Sequence, residues 1–83
     1  MSRYYFDIRE GDQFTVDHEG WEYPSIEIAR NEAVRSLADM AREAVLEAKD
    51  SFDLRMSVHV RDESGSMVEV KFSFEVIRRR LDS

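Results

Sequence analysis

Two stretches of almost unbroken two-residue alternation, residues 54–61 and 68–77, flank the turn-forming run Asp62-Glu63-Ser64-Gly65-Ser66, and no other feature limits the fold as much. In the first, Leu54, Met56, Val58 and Val60 alternate with Arg55, Ser57, His59 and Arg61. In the second, Val68, Val70, Phe72, Phe74 and Val76 alternate with Glu69, Lys71, Ser73 and Glu75. A period of two puts the apolar set on one face of a strand and the polar set on the other. The Asp/Ser/Gly run closes the two into an antiparallel hairpin. A lone hairpin is marginal in water, so something must cover its apolar face.

The cover is expected from residues 26–48. Ile26, Ala29, Ala33, Leu37, Met40, Ala44 and Ala48 recur at three- and four-residue steps, with Arg30, Glu32, Arg35, Asp39, Arg42, Glu43 and Glu47 opposite them. This is one apolar stripe on one helix. Pro24 disfavours helix at Tyr23, Ser25 is placed to cap, and Glu27 suits the positive end of the helix dipole. A helix of this length spans about 35 Å and the hairpin strands about 26 and 33 Å, so the two match. Alanine dominates the stripe because the sheet offers it Tyr4, Phe6, Phe72 and Phe74.

Upstream, residues 4–9 read as a strand with Tyr4, Phe6 and Ile8 inward and Tyr5, Asp7 and Arg9 outward. Glu10-Gly11-Asp12-Gln13 forms a turn, and residues 14–16 begin a second strand with Phe14 and Val16 on the core side. Residues 17–24 read as irregular. The order β-β-α-β-β defines one α+β domain over residues 1–83, with one long helix on one face of a four-stranded, mainly antiparallel sheet. The hairpins are expected to join through their first and last strands, with residues 68–77 central because that strand is the longest and most apolar.

A domain of 83 residues without cysteine has neither disulfide nor thiolate metal site to reinforce a small core. Self-association is the readiest other source of stability, so a homodimer is expected. A wide apolar band, with Val34, Ala38, Ala41 and Val45 beside the main stripe, fits either a helix settled deeply on the sheet or a second partner surface. The formal net charge of −6 argues against duplex nucleic acid as the main partner. The start Met1-Ser2-Arg3-Tyr4 has no long apolar run, and no stretch is long enough to cross a bilayer, so a cytoplasmic protein without membrane contact is expected.

The opening Arg3-Tyr4-Tyr5-Phe6-Asp7-Ile8, then Glu10-Gly11, then Asp17, Gly20, Glu22 and Pro24, then Ala29 and Ala33, and finally Val60-Arg61-Asp62-Glu63-Ser64-Gly65, form a combined pattern. It resembles a family of short bacterial proteins catalogued only as a domain of unknown function. The resemblance covers nearly the whole chain and implies a small stand-alone protein with no assigned activity or functional residue. A fainter likeness, at Glu32-Ala33 and Ala41, is to the antitoxins of mRNA-interferase toxin pairs. Those antitoxins usually add a DNA-binding segment for which this chain has no room, so the likeness is one of fold.

Candidate sites are few. Asp17, His18, Glu19 and Glu22 share one loop but lack metal-ligand spacing, and they read as a turn in which Asp17 bonds nearby amides around Gly20. Trp21 and Tyr23 are candidate anchors for a protein partner, together with Val34, Ala38, Ala41 and Val45; alternatively, Trp21 folds back over the start of the helix. Tyr5, Arg9, Arg55, His59, Arg61 and Lys71, with the tail Arg78, Arg79 and Arg80, form a candidate face for single-stranded nucleic acid, interrupted by Asp7, Glu69 and Glu75. His59 alone reads as a solvated imidazole. There is no cysteine nucleophile, Gly-rich phosphate loop or nucleophile elbow, so no catalytic residue, cofactor or metal is expected. The leading expectation is a non-catalytic, self-associating interaction or regulatory module that binds a protein. The alternative is a nucleic-acid-linked regulator using the outer sheet face and basic tail.

Overall fold

The computed structural model describes residues 1–48, 52–77 and 79–81. Strand β1, Ser2–Glu10, reverses at Gly11 and Asp12 into β2, Gln13–Thr15, so that Ile8 pairs with Thr15 and Glu10 with Gln13. The chain then bulges away over residues 16–20 and returns to the same edge of β1 as β3, Trp21–Tyr23, where Tyr4 pairs with Trp21 and Ser2 with Tyr23. Helix α1, Ile26–Glu47, leads to β4, Phe52–Asp62, and the hairpin ends with β5, Met67–Val76. Every pairing is antiparallel, in the order β2-β1-β4-β5, with β3 also on β1.

The α+β class and the single long helix over an antiparallel sheet are as the patterning predicts. Ser25 caps α1, its hydroxyl accepting from the Ile28 N–H at 3.3 Å while its backbone stays extended. That satisfies one of the amides that a helix start leaves without a partner. Ala29, Ala33, Leu37 and Ala41 are buried against Met56, Val58 and Val60 of β4. Tyr4, Phe6 and Ile8 of β1 and Leu54, Val70 and Phe72 of the hairpin complete this core. Three alanines in the contact let the helix backbone settle close to large sheet side chains, the complementarity that dense interiors require.

Three expectations give way. The sheet has five strands, because Trp21-Glu22-Tyr23, expected as irregular, hydrogen-bonds to β1. Phe14 points away from the helix, since the two-residue turn sets it opposite Arg9, an outward residue, and Thr15 opposite the inward Ile8. Phe14 is 45% exposed, with the Arg9 guanidinium 5.1 Å above its ring and His59 edge-on at 5.9 Å. Val16, expected on the core side, is also exposed. The central strand is β4, and β5 lies at the edge. Apolar alternation reports one face of a strand and says little about its neighbours: the fully buried valines, Val58 and Val60, lie on β4, while the inward residues of β5 are half-buried or, at Val76, exposed.

Candidate functional site

The stretch at residues 16–20 interrupts the edge pairing of β1, and polar side chains there replace the missing backbone partners. Phe6 N–H, which would otherwise meet a neighbouring strand, donates to Asp17 Oδ2 at 3.1 Å. The other oxygen of Asp17 accepts from Glu19 N–H at 3.0 Å and Gly20 N–H at 3.1 Å, so the carboxylate acts as the turn-former expected of it. Asp17 N–H in turn donates to Asp7 Oδ1 at 2.9 Å. Arg61, brought alongside by β4, donates through Nε to Asp7 Oδ2 at 2.8 Å and through Nη2 to the Asp17 carbonyl at 3.0 Å. The guanidinium lies 4.6 Å from the Tyr5 ring centroid, a cation–π contact on its other side. Arg3 closes the loop from the far end, donating to the Glu19 carbonyl at 2.7 Å.

Asp7 is consequently 6% exposed, although its position in β1 faces away from the helix. Among the described residues no buried side-chain nitrogen or oxygen lacks a hydrogen-bond partner, so the clasp is fully satisfied. Partial burial alone would raise the Asp17 pKa. The Gly20, Phe6 and Glu19 amides and the Arg61 charge outweigh it and hold the carboxyl below its ordinary value. The hydrogen bond to Asp7 is the chief reason that Arg61 is held more firmly charged than usual. Gly20 is required here for two reasons. Its φ is +73°, and a Cβ would lie 2.9 Å from Arg3 Cγ, the Tyr4 carbonyl and Tyr5 Cε1.

On the helix side of the sheet the same loop walls a groove of about 730 Å³. Phe6, Ile8 and Val58 form its floor, Val16, Trp21 and Tyr23 its outer wall, and Glu32 and Ser36 of α1 the facing wall. It exists because α1 lies over β4 and leaves the inner face of β1 and its edge partners only partly covered. Trp21 is 66% exposed at the rim and does not fold over the start of the helix. Tyr23 is half-buried, with its ring 5.9 Å from Phe6 and 6.5 Å from Tyr4. Burial and then the Glu32 charge raise the pKa of the Tyr23 hydroxyl.

The other sequence-selected residues are spread over separate surfaces. Val34 is 47% exposed, Ala38 is exposed and Val45 half-buried, whereas Ala41 lies in the core. Of the candidate nucleic-acid face, Tyr5, Arg9, Arg55, His59, Arg61 and Lys71 share the outer side of the sheet. Their charges meet local partners: Arg55 with Asp53 at 3.6 Å, Arg61 with Asp7, Lys71 with Glu69 at 3.6 Å, and His59 with Glu69 at 2.7 Å. Arg79 and Arg80 are exposed, and Arg78 lies outside the described residues. Among the described residues no cluster of three or more His, Asp or Glu is arranged to hold a metal ion, and no helix is long and apolar enough to cross a membrane.

A small α+β domain with a polar clasp and an apolar groove is what these elements define. The chain belongs to the family of the domain of unknown function DUF6894, whose profile matches residues 3–74. Neither the curated proteins nor the solved structures contain a match to it. The groove and the Asp7–Arg61 part of the clasp escape a reading of the sequence. The sequence places both residues on outward strand positions, but the register sets Asp7 opposite His59 and Arg61 opposite Tyr5, so the two meet on a diagonal.

Proposed function

We propose that this chain is a non-catalytic interaction module that works as a self-associated unit and holds a protein partner in the groove beside Trp21. The groove itself carries the proposal. An exposed indole over an apolar floor is the kind of surface on which a partner's side chain gains most from burial. Glu32, together with Glu19 at the rim, favours a partner segment that sets an apolar side chain next to a basic one. The outer sheet face is the weaker candidate, because Arg55, Arg61 and Lys71 already meet carboxylates of the same chain and Arg9 lies over Phe14.

Selection from a displayed-peptide library tests the proposal directly. Trp21 is the only tryptophan, so its emission reports binding without a label. Selected peptides are expected to pair an apolar anchor with Lys or Arg and to shift the Trp21 emission to the blue. They should bind Glu32→Gln more weakly, and Trp21→Ala at least tenfold more weakly by calorimetry. Peptides that bind Trp21→Ala as well as the parent chain would refute the assignment, and so would a selection that enriches nothing.

A further inference from the structure

The two edges of the sheet are built differently. On the β1 side the edge is broken into two three-residue strands, and Asp17 takes the Phe6 amide between them. Such interruptions block the addition of another strand. On the other side β5 presents ten residues, free of proline, glycine and bulge, in unbroken register with β4. Among the described residues nothing pairs with its outer side. The Asp62 N–H donates to the Ser66 carbonyl at 3.1 Å. Antiparallel pairs alternate between bonded and non-bonded, so even-numbered residues of β5 turn their backbone groups toward β4. Met67, Glu69, Lys71, Ser73 and Glu75 therefore aim theirs outward.

We infer that this edge pairs with β5 of a second copy, antiparallel, about a two-fold axis passing at Val70; the inference rests on the self-association in the reading above and gives it a surface. A two-fold axis normal to the sheet keeps both helices on one side and opposes only positions of the same parity. With the axis at Val70, Glu69 of each copy stands opposite Lys71 of the other, and Val68 opposite Phe72. Moving the axis to Lys71 opposes two lysines, and moving it to Phe72 opposes Glu69 and Glu75. Moving it to Ser73 opposes Lys71 and Glu75 and pairs residues 70–76, as many as the 67–73 paired about Val70. Of these two charge-matched registers, the Val70 one centres the seam on Val70 and Phe72, which pack on the core, whereas the Ser73 one brings in exposed Val76. A change at Glu69, which stands opposite Lys71 only about Val70, tells the two apart.

The helix side of this seam is apolar. Glu32 and Ser36 face the groove over β1. At 3.6 residues per turn, Val34, Ala38 and Val45 fall on the opposite flank of α1, toward β5. On that side β5 presents half-buried Val70 and Phe72, the latter stacked on Phe74 at 6.2 Å. A second copy would thus meet charge pairs on one face of the sheet and apolar side chains on the other.

Sedimentation equilibrium on the full chain tests this at several protomer concentrations. A dimer is expected, and Glu69→Lys and Lys71→Glu should each weaken it about 10- to 100-fold, since either change makes both opposed pairs like-charged. Mixing the two single variants should restore a dimer, because every opposed pair across the axis then joins an acid and a base. Ser73→Pro, which removes an outward N–H and none of the β4 bonds, should also give monomers. Circular dichroism of each variant verifies folding. A parent dimer untouched by these changes, or variants that fail to recover on mixing, would overturn the edge assignment while leaving self-association elsewhere. A parent chain that stays monomeric at the highest attainable concentration would overturn both.

Discussion

Replacing Asp7 by alanine is the sharpest test of what holds the groove loop in place. The carboxylate is 6% exposed and receives the Asp17 N–H at 2.9 Å and Arg61 Nε at 2.8 Å. Its loss leaves the Asp17 amide with no acceptor in a site closed by Arg61 and Tyr5, which costs about 1–3 kcal/mol. Loss of the ionic hydrogen bond to Arg61 adds to this, and release of the carboxylate from its buried site offsets part of it. The expected loss is about 3 kcal/mol, a large share of the stability of a small domain. At roughly 4–8 °C per kcal/mol for a chain of this length, the melting temperature should fall by about 12–24 °C. Urea unfolding at one fixed protomer concentration is the assay, because association with a second copy would itself stabilise the fold. Arg61→Ala should cost less in the Asp7→Ala background than in the parent chain. Amide exchange should quicken at Phe6, Glu19 and Gly20, while Val58 and Val60 remain protected. A loss below about 1 kcal/mol, or strictly additive effects of the Asp7 and Arg61 changes, would show that the clasp does not hold the loop.

The loop's geometry and its titration give two further expectations. Gly20→Ala places a methyl 2.9 Å from Arg3, Tyr4 and Tyr5 at φ +73°, whereas Gly11→Ala at φ +58° meets nothing within 4 Å. The Gly11 change should therefore cost only the left-handed backbone penalty of about 1–2 kcal/mol, and the Gly20 change clearly more, as read by urea midpoints. Asp17 is held below its ordinary pKa in the folded chain, so its contribution to stability is present above the unfolded-state value near 3.8 and is lost as the pH falls through the folded value. Parent stability should decline below about pH 4, and Asp17→Asn should flatten that part of the profile; equal slopes for the two proteins would count against the assignment.

What could be read from the sequence follows the range of the interactions involved. The hairpin and α1 rest on local periodicity and a Pro24-Ser25 start, and both appear within a residue or two of their expected bounds. The facing of Phe14 was also open to derivation. Once Glu10 and Gln13 close a two-residue turn, counting back sets Thr15 against Ile8 and turns Phe14 outward. Its apolar character had suggested the opposite, and the turn geometry won. Strand β3 is three residues between a loop and a proline, too short to show a period. The clasp depends on Asp7 and Arg61 meeting across 54 positions, which no local pattern encodes. The edge position of β5 was hidden because a half-covered edge strand and a central strand present the same alternation.

The clasp also bears on why a family resemblance can be clear while function stays silent. Arg3, Asp7, Asp17, Gly20 and Arg61, which carry much of the resemblance, are joined by hydrogen bonds and close contacts at one end of β1. Their bonding capacity is largely spent on one another and on backbone groups, so they fix how the chain leaves and rejoins the sheet. Groups used in this way hold an architecture and have little left to offer a ligand. The surfaces with something to offer are Trp21 above the groove and the outward groups of Glu69 and Lys71 on β5, all outside that constellation. A polar clasp that secures one edge of the sheet leaves the other edge and the groove free to differ in side chains without loss of the fold. Specificity for a partner, on this view, resides in those two surfaces, and substitutions there should change what is bound before they change whether the chain folds.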